Sequence, residues 1–227
     1  MGNTYVDAAE ATYKARGCKM KAAFHVREVS ESCLDDVPVA ASGEAEGRFQ
    51  AVCSFGKLQR GFLHHHSARK ILESVGSRLQ DKGYFFGYMP DSAQIWTLAQ
   101  KSTEIPAVVS GAFYHFEFEA DTYEPFDSYY IISMKDGARS REPLVHFPSV
   151  IRLAREAGMQ LVDFVNFQQL YDMYRHDAAD LLKQYGVLDS KGKIKKEQME
   201  VMALFSVFVF QRDESLPVTI DSREDDE

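Results

Sequence analysis

The chain has 227 residues, of which 45% are hydrophobic and 26% charged, enough for one α/β domain with a substantial core. Its formal net charge of −8 excludes nucleic-acid affinity built on bulk positive charge. No apolar run has the length of a membrane span, no leader with a cleavage site opens the chain, and Val6 spoils a myristoylation match, so a soluble intracellular protein is expected.

In chain order, Val6 to Ala15 predicts a short helix and Lys19 to Arg27 a strand. Ser30 to Gly47, acidic and rich in Ser and Gly, reads as a loop. Arg48 to Phe55, with Phe49, Val52, Cys53 and Phe55, predicts a buried strand. From Ser67 to Lys82 the residues Ala68, Ile71, Leu72, Val75 and Leu79 recur at helical spacing, with Ser67 as N-cap and Gly83 as the stop. Tyr84 to Tyr88 predicts a strand, Ala93 to Gln100 a helix.

Between Gly111 and Glu119 the residues Tyr114, Phe116 and Phe118 fall on one face, as in a half-exposed antiparallel strand paired with Asp127 to Met134. Pro148 to Gly158 is a helix with Pro at its start and Gly at its end. Gln160 to Phe167 predicts a strand, Phe167 to Tyr185 a long helix stopped by Gly186, and Val201 to Gln211 a buried central strand. The last two strands suit a hairpin at one edge. Alternating strands and helices imply a mostly parallel sheet with helices on both faces. Asp221 to Glu227 reads as a disordered acidic tail.

Cys18, Cys33 and Cys53 lack the paired spacing of a disulfide framework or zinc site, so they read as buried hydrophobes or free thiols. His64-His65-His66 brings no second ligand cluster within reach by sequence, and reads as solvated loop rather than metal site.

Four stretches, in order, resemble mRNA cap guanine-N7 methyltransferases, over roughly residues 8 to 212. They are Arg78-Leu79-Gln80-Asp81-Lys82-Gly83-Tyr84-Phe85 leading to Met89-Pro90-Asp91-Ser92, and Glu142-Pro143-Leu144-Val145-His146-Phe147-Pro148. Gly158-Met159-Gln160-Leu161-Val162 with Asn166-Phe167-Gln168-Gln169-Leu170-Tyr171 follows, and Phe205-Ser206-Val207-Phe208-Val209-Phe210 closes the set.

The resemblance implies an incomplete Rossmann-like class I methyltransferase domain over residues 6–212: a mostly parallel sheet with an antiparallel edge and a small antiparallel insertion. Residues 213–227 form the tail. It implies S-adenosylmethionine as methyl donor, the capped mRNA 5′ end as partner and a nuclear location. It also implies a cap pocket in which the Glu142 carboxylate accepts the N1–H and N2 amino donors of guanine. Such a bond strengthens as methylation makes the base cationic. Pro90 would line the guanine site and Phe205, where the family has tyrosine, would stack on or pack beside the base. Glu28 falls near the family's acid for the donor adenine.

Two departures qualify this. No Asp-x-Gly-x-Gly pattern occurs, and the alignment puts the first two strands, the Gly-rich donor turn and the ribose acid before Met1. The strands at Lys19 to Arg27 and Arg48 to Phe55 then lack their usual neighbour, which a subunit or upstream segment would supply, and the chain alone is expected to be inactive. Gln59-Arg60, or Arg60-Gly61, replaces the family's His-Tyr, an arginine suited to a cap phosphate and not to a developing cation. The rivals are therefore a catalytically degenerate cap-binding module or subunit, and an unrelated small-molecule methyltransferase.

Overall fold

A computed structural model describes residues 2–19, 22–26, 48–135, 137 and 139–216. Cys33, the acid Glu28, the loop from Ser30 to Gly47 and the tail from residue 217 lie outside the described residues.

Helix α1 (Gly2–Ala15) forms as expected, but residues 22–26 carry no strand, which corrects the reading of Lys19 to Arg27. Strand β1 (Phe49–Phe55) leads into a short 3-10 helix (Leu58–Leu63), then α2 (His65–Arg78), β2 (Leu79–Pro90) and α3 (Ser92–Ala99). Strands β3 (Val108–Ser110), β4 (Tyr114–Phe118), β5 (Tyr129–Met134) and β6 (Arg139–Pro143) follow. The chain continues through α4 (Phe147–Glu156), β7 (Met159–Asn166), α5 (Phe167–Tyr174), α6 (Ala179–Gln184), α7 (Lys196–Met202) and β8 (Phe205–Arg212).

Two four-stranded sheets result, β1-β2-β8-β7 and β3-β4-β5-β6. The second is wholly antiparallel and is the expected insertion, with Tyr114, Phe116 and Phe118 buried on one face as their alternation required. The first is mixed: β1 runs parallel to β2, whereas β2–β8 and β8–β7 are antiparallel. The parallel character expected of it is confined, among the described residues, to that one pair. The predicted terminal hairpin is present, with β8 between β2 and β7.

The faces of this sheet differ. Leu72, Val75, Val150, Leu153 and Ala154 of α2 and α4 bury Phe85, Met89, Phe208 and Phe210. The other face carries Tyr84, Phe86 and Tyr88 with Phe205, Val207 and Val209, all exposed or half-buried. α5 reaches it at one end, setting Phe167 against Tyr88 and Phe205. The expected second helical layer does not bury this face.

Strand β1 is an exposed edge, not the buried strand its apolar residues suggested; Phe49 and Phe55 are 41% and 56% accessible. Because the edge is exposed, water can satisfy the backbone groups on its outer side. Helix α2 ends at Arg78, four residues early, and Leu79 opens β2 instead. Leu79 is fully buried in the extended conformation, so the periodicity could not separate helix from strand there. Nor is Ser67 the cap: His64 precedes the helix and its carbonyl accepts from the Ala68 N–H. Gly83 serves the sheet, not the helix. A Cβ there would lie 2.9–3.2 Å from the carbonyl oxygens of Gln80, Gln50 and Phe49, where the β1–β2 register shifts.

The predicted helix Phe167 to Tyr185 is broken into α5 and α6. Neither buries a residue, so no core contact holds a continuous axis. Residues 201–202 belong to α7, and β8 begins later than predicted. No described helix is long and apolar enough to cross a membrane.

Candidate functional site

Glu142 lies near the end of β6 with its side chain only 8% accessible, on the face that also carries Ser140 and Tyr130 is its cross-strand partner. Three donors meet its carboxylate. Arg60 Nη2 donates to Oε1 at 2.9 Å, Ser140 Oγ to Oε1 at 3.2 Å, and Gln59 Nε2 to Oε2 at 3.3 Å. Burial raises the Tyr130 phenol well above its ordinary range, and the adjacent Glu142 charge adds to it.

Arg60, expected to reach a cap phosphate, pairs here with Glu142. The pair is lopsided, with the arginine side chain 54% accessible. Gln59, which sequence reasoning treated only as a replacement, is buried, and its Nε2 also donates to the Gly56 carbonyl at 3.1 Å. With both acceptors on Nε2 the amide orientation is fixed, and Oε1 is buried without a hydrogen-bond partner.

Pro90 and Phe205 stand opposite each other in the β2–β8 ladder. The Phe205 ring is half-buried, packed against Tyr88 and Phe167 at centroid distances of 6.2 and 6.1 Å. It therefore both packs and presents an edge of an aromatic cluster. Tyr88 shares the face of Pro90, two residues away, and was not among the site residues expected from the sequence.

Backbone links tie the two halves together. Gly56 N–H donates to the Tyr88 carbonyl at 2.9 Å, and the Gly56 carbonyl accepts from the Gln59 amide that holds Glu142. On the other side Val145 N–H donates to Ser92 Oγ at 2.7 Å, fixing the segment after β6 to the start of α3. Beneath lies Asp91, whose Oδ1 accepts from Gln94 N–H and caps α3. Its Oδ2 accepts from Ser206 and Asn166. An Asp before a helix is a readable cap signal, but its links to β7 and β8 are not.

After β1, Gly56 takes a positive φ of 68°, and a Cβ there would meet the Tyr88 ring at 2.9 Å, so the glycine lets that ring close against the turn. The triple histidine is engaged locally: His65 packs edge-on to Phe126 and contacts Arg152, and His64 lies 3.8 Å from Asp127. Cys18 and Cys53 are exposed free thiols. Two surface cavities, about 500 and 230 Å³, lie at Phe113, Met134 and Lys135 and at Leu170, Tyr174 and Leu182. Glu142 lines neither.

The family model of the mRNA (guanine-N(7))-methyltransferase domain matches residues 1–213. The chain is similar to mRNA cap guanine-N(7) methyltransferase 2 of Oryza sativa subsp. japonica, 36% identical over 175 residues, covering 71% of this chain and 52% of that protein. The Arabidopsis thaliana protein of the same name is 36% identical over 172 residues, with 68% and 49% covered. The chain spans about half the length of these relatives. Among solved structures, an S-adenosylmethionine-dependent methyltransferase from Clostridium acetobutylicum ATCC 824 aligns with TM-score 0.46 and 11% identity, over 90% of this chain and 70% of that one.

Proposed function

This chain belongs to the mRNA cap guanine-N7 methyltransferase family, and on that premise we propose that it serves guanine-N7 methylation of capped mRNA by supplying the side that reads the base. S-adenosylmethionine is the donor in this reading, and its methyl goes to N7. The reading takes the family's nuclear setting with it. The observation that carries the proposal is Glu142, a buried carboxylate tied through Gln59 and Gly56 to the strand tip bearing Pro90 and Phe205.

Guanine offers N1–H and the N2 amino group as adjacent donors, and a carboxylate accepts both. N7 carries a lone pair and no proton, so its attack on the donor methyl, with the sulfur leaving as a thioether, needs no general base. Position and field do the work, and both grow in value as the ring becomes cationic. Phe205 and Tyr88 offer ring surface for the base, and Pro90 a rigid rim. Gln59-Arg60, or Arg60-Gly61, stands where the family has His-Tyr. Glu28 lies outside the described residues. The outer edge of β1, unpaired among the described residues, is the place for a strand from a partner subunit or another segment.

A second reading, a cap-binding module without transfer, draws on the arginine at the carboxylate. Calorimetric titration with S-adenosylmethionine and with a cap analogue separates the readings. Binding of both supports the methyltransferase, cap alone the module, and donor alone a small-molecule methyltransferase. In each cap-binding case Glu142→Gln is expected to weaken the cap about tenfold or more, the loss of a charge-assisted pair. Cap binding indifferent to that change would remove the proposal.

A further inference from the structure

We propose that Arg60 is a latch on the Glu142 carboxylate, holding the place of the guanine edge until a base displaces it. The inference rests on the cap reading above. A guanidinium and the Watson–Crick edge of guanine present similar rows of N–H donors, so one can stand in for the other.

Lone-pair accounting favours displacement over addition. A carboxylate accepts about four hydrogen bonds, and Glu142 already accepts three, from Arg60, Ser140 and Gln59. A base bringing two donors needs one of these to leave. Gln59 is 4% accessible and anchored to the Gly56 carbonyl, so it stays. Ser140 lies two residues from Glu142 on the same strand. Arg60 is the exposed member, on a six-residue 3-10 helix kinked at Phe62. Its departure costs the least structure.

Charge then selects the incoming base. Removing Arg60 alone strands a buried carboxylate without its counter-charge, which is unfavourable. A neutral guanine restores the hydrogen bonds but not the charge, whereas an N7-methylated guanine restores both. The unpartnered Oε1 of Gln59, buried beside the carboxylate, is a further acceptor for the N2 amino group. The carboxylate under the latch thus favours the cationic purine over the neutral one, whether or not Arg60 is present.

The test uses the whole chain as wild type, Arg60→Ala, Arg60→Gln and Glu142→Gln, with circular dichroism establishing that each is folded. The probes are guanosine and 7-methylguanosine, nucleosides without phosphate, so that any contact of Arg60 with phosphate is silent; an N7-methylated cap dinucleotide is run alongside. Both arginine variants are expected to bind both nucleosides about tenfold more tightly than wild type. The preference for 7-methylguanosine should be kept, because the latch cost is common to both ligands. In the Glu142→Gln background the Arg60 changes should have no further effect. If wild type binds through Glu142 and the arginine variants bind equally or less tightly, the latch is overturned while the base reading stands. If neither wild type nor Arg60→Ala binds any of the three probes, the base reading falls and the latch with it.

Discussion

The Ser206 hydroxyl donates to Oδ2 of Asp91 across 2.6 Å, joining the start of β8 to the end of β2 directly below the Pro90–Phe205 pair. Both residues are buried, and the same carboxylate caps α3 through Gln94. Asp91→Ala removes the cap and leaves the Ser206 hydroxyl without its acceptor. Each loss costs about 1–2 kcal/mol, so roughly 2–4 kcal/mol of stability should disappear. Ser206→Ala leaves Asp91 its Gln94 and Asn166 partners and should cost about half as much. Urea unfolding of the two variants gives the comparison; equal losses would deny Asp91 its double role.

Gly83 makes a sharper prediction. The three oxygens a Cβ would meet belong to backbone on two strands, which cannot rotate away as a flexible side chain would. Gly83→Ala should cost about 2 kcal/mol or more by overpacking the β1–β2 bulge. Thermal melting reads the loss, and an unchanged midpoint would mean that the register shift relaxes freely.

A pH dependence follows from Tyr123. Burial, offset by the Ser92 hydroxyl and reinforced by the Asp91 charge, moves its phenol from 10.0 up to about 12. In the unfolded chain the phenol ionises near 10, so between pH 10 and 12 the unfolded state loses its proton first. Stability is full below pH 10 and falls across that window, by roughly 2–3 kcal/mol for this group. Tyr130, raised by burial, adds in the same direction. Tyr123→Phe should flatten part of the alkaline limb while costing some stability at neutral pH, since the hydroxyl donates to the Val145 carbonyl. Unfolding free energies at pH 7, 10 and 11.5 are the measurement. An alkaline limb as steep as that of wild type would place the titration elsewhere.

The sequence was most readable where one face of an element is buried and the other wet. Tyr114, Phe116 and Phe118 announced β4 by alternation, and Pro148 with Gly158 bracketed α4, because each signal is local. It was least readable where both outcomes bury the same residue. Leu79 satisfies the core as the last residue of a helix or the first of a strand. Phe49, Cys53 and Phe55 read as interior, and their exposure depends on what neighbours the sheet edge, which no local pattern encodes. The candidate site divides in the same way. Glu142, Pro90 and Phe205 were reached by resemblance. The approach of Arg60 to Glu142 spans 82 residues, and nothing local to either residue signals it.

Strand β8 is shared between two apolar clusters. Phe208 and Phe210 sit in the one under α2 and α4, while Leu204, just before the strand, and Phe205 join the one around Tyr114, Phe116 and Tyr130. Neither sheet can then melt without pulling on a strand rooted in the other. The chain should lose both cores in a single calorimetric step, with amide protons of residues 206–210 the last to exchange with deuterium. The Phe205 ring and the rings that anchor the interior ride on one stiff rod, so a push at Phe205 is transmitted to the centre of the molecule.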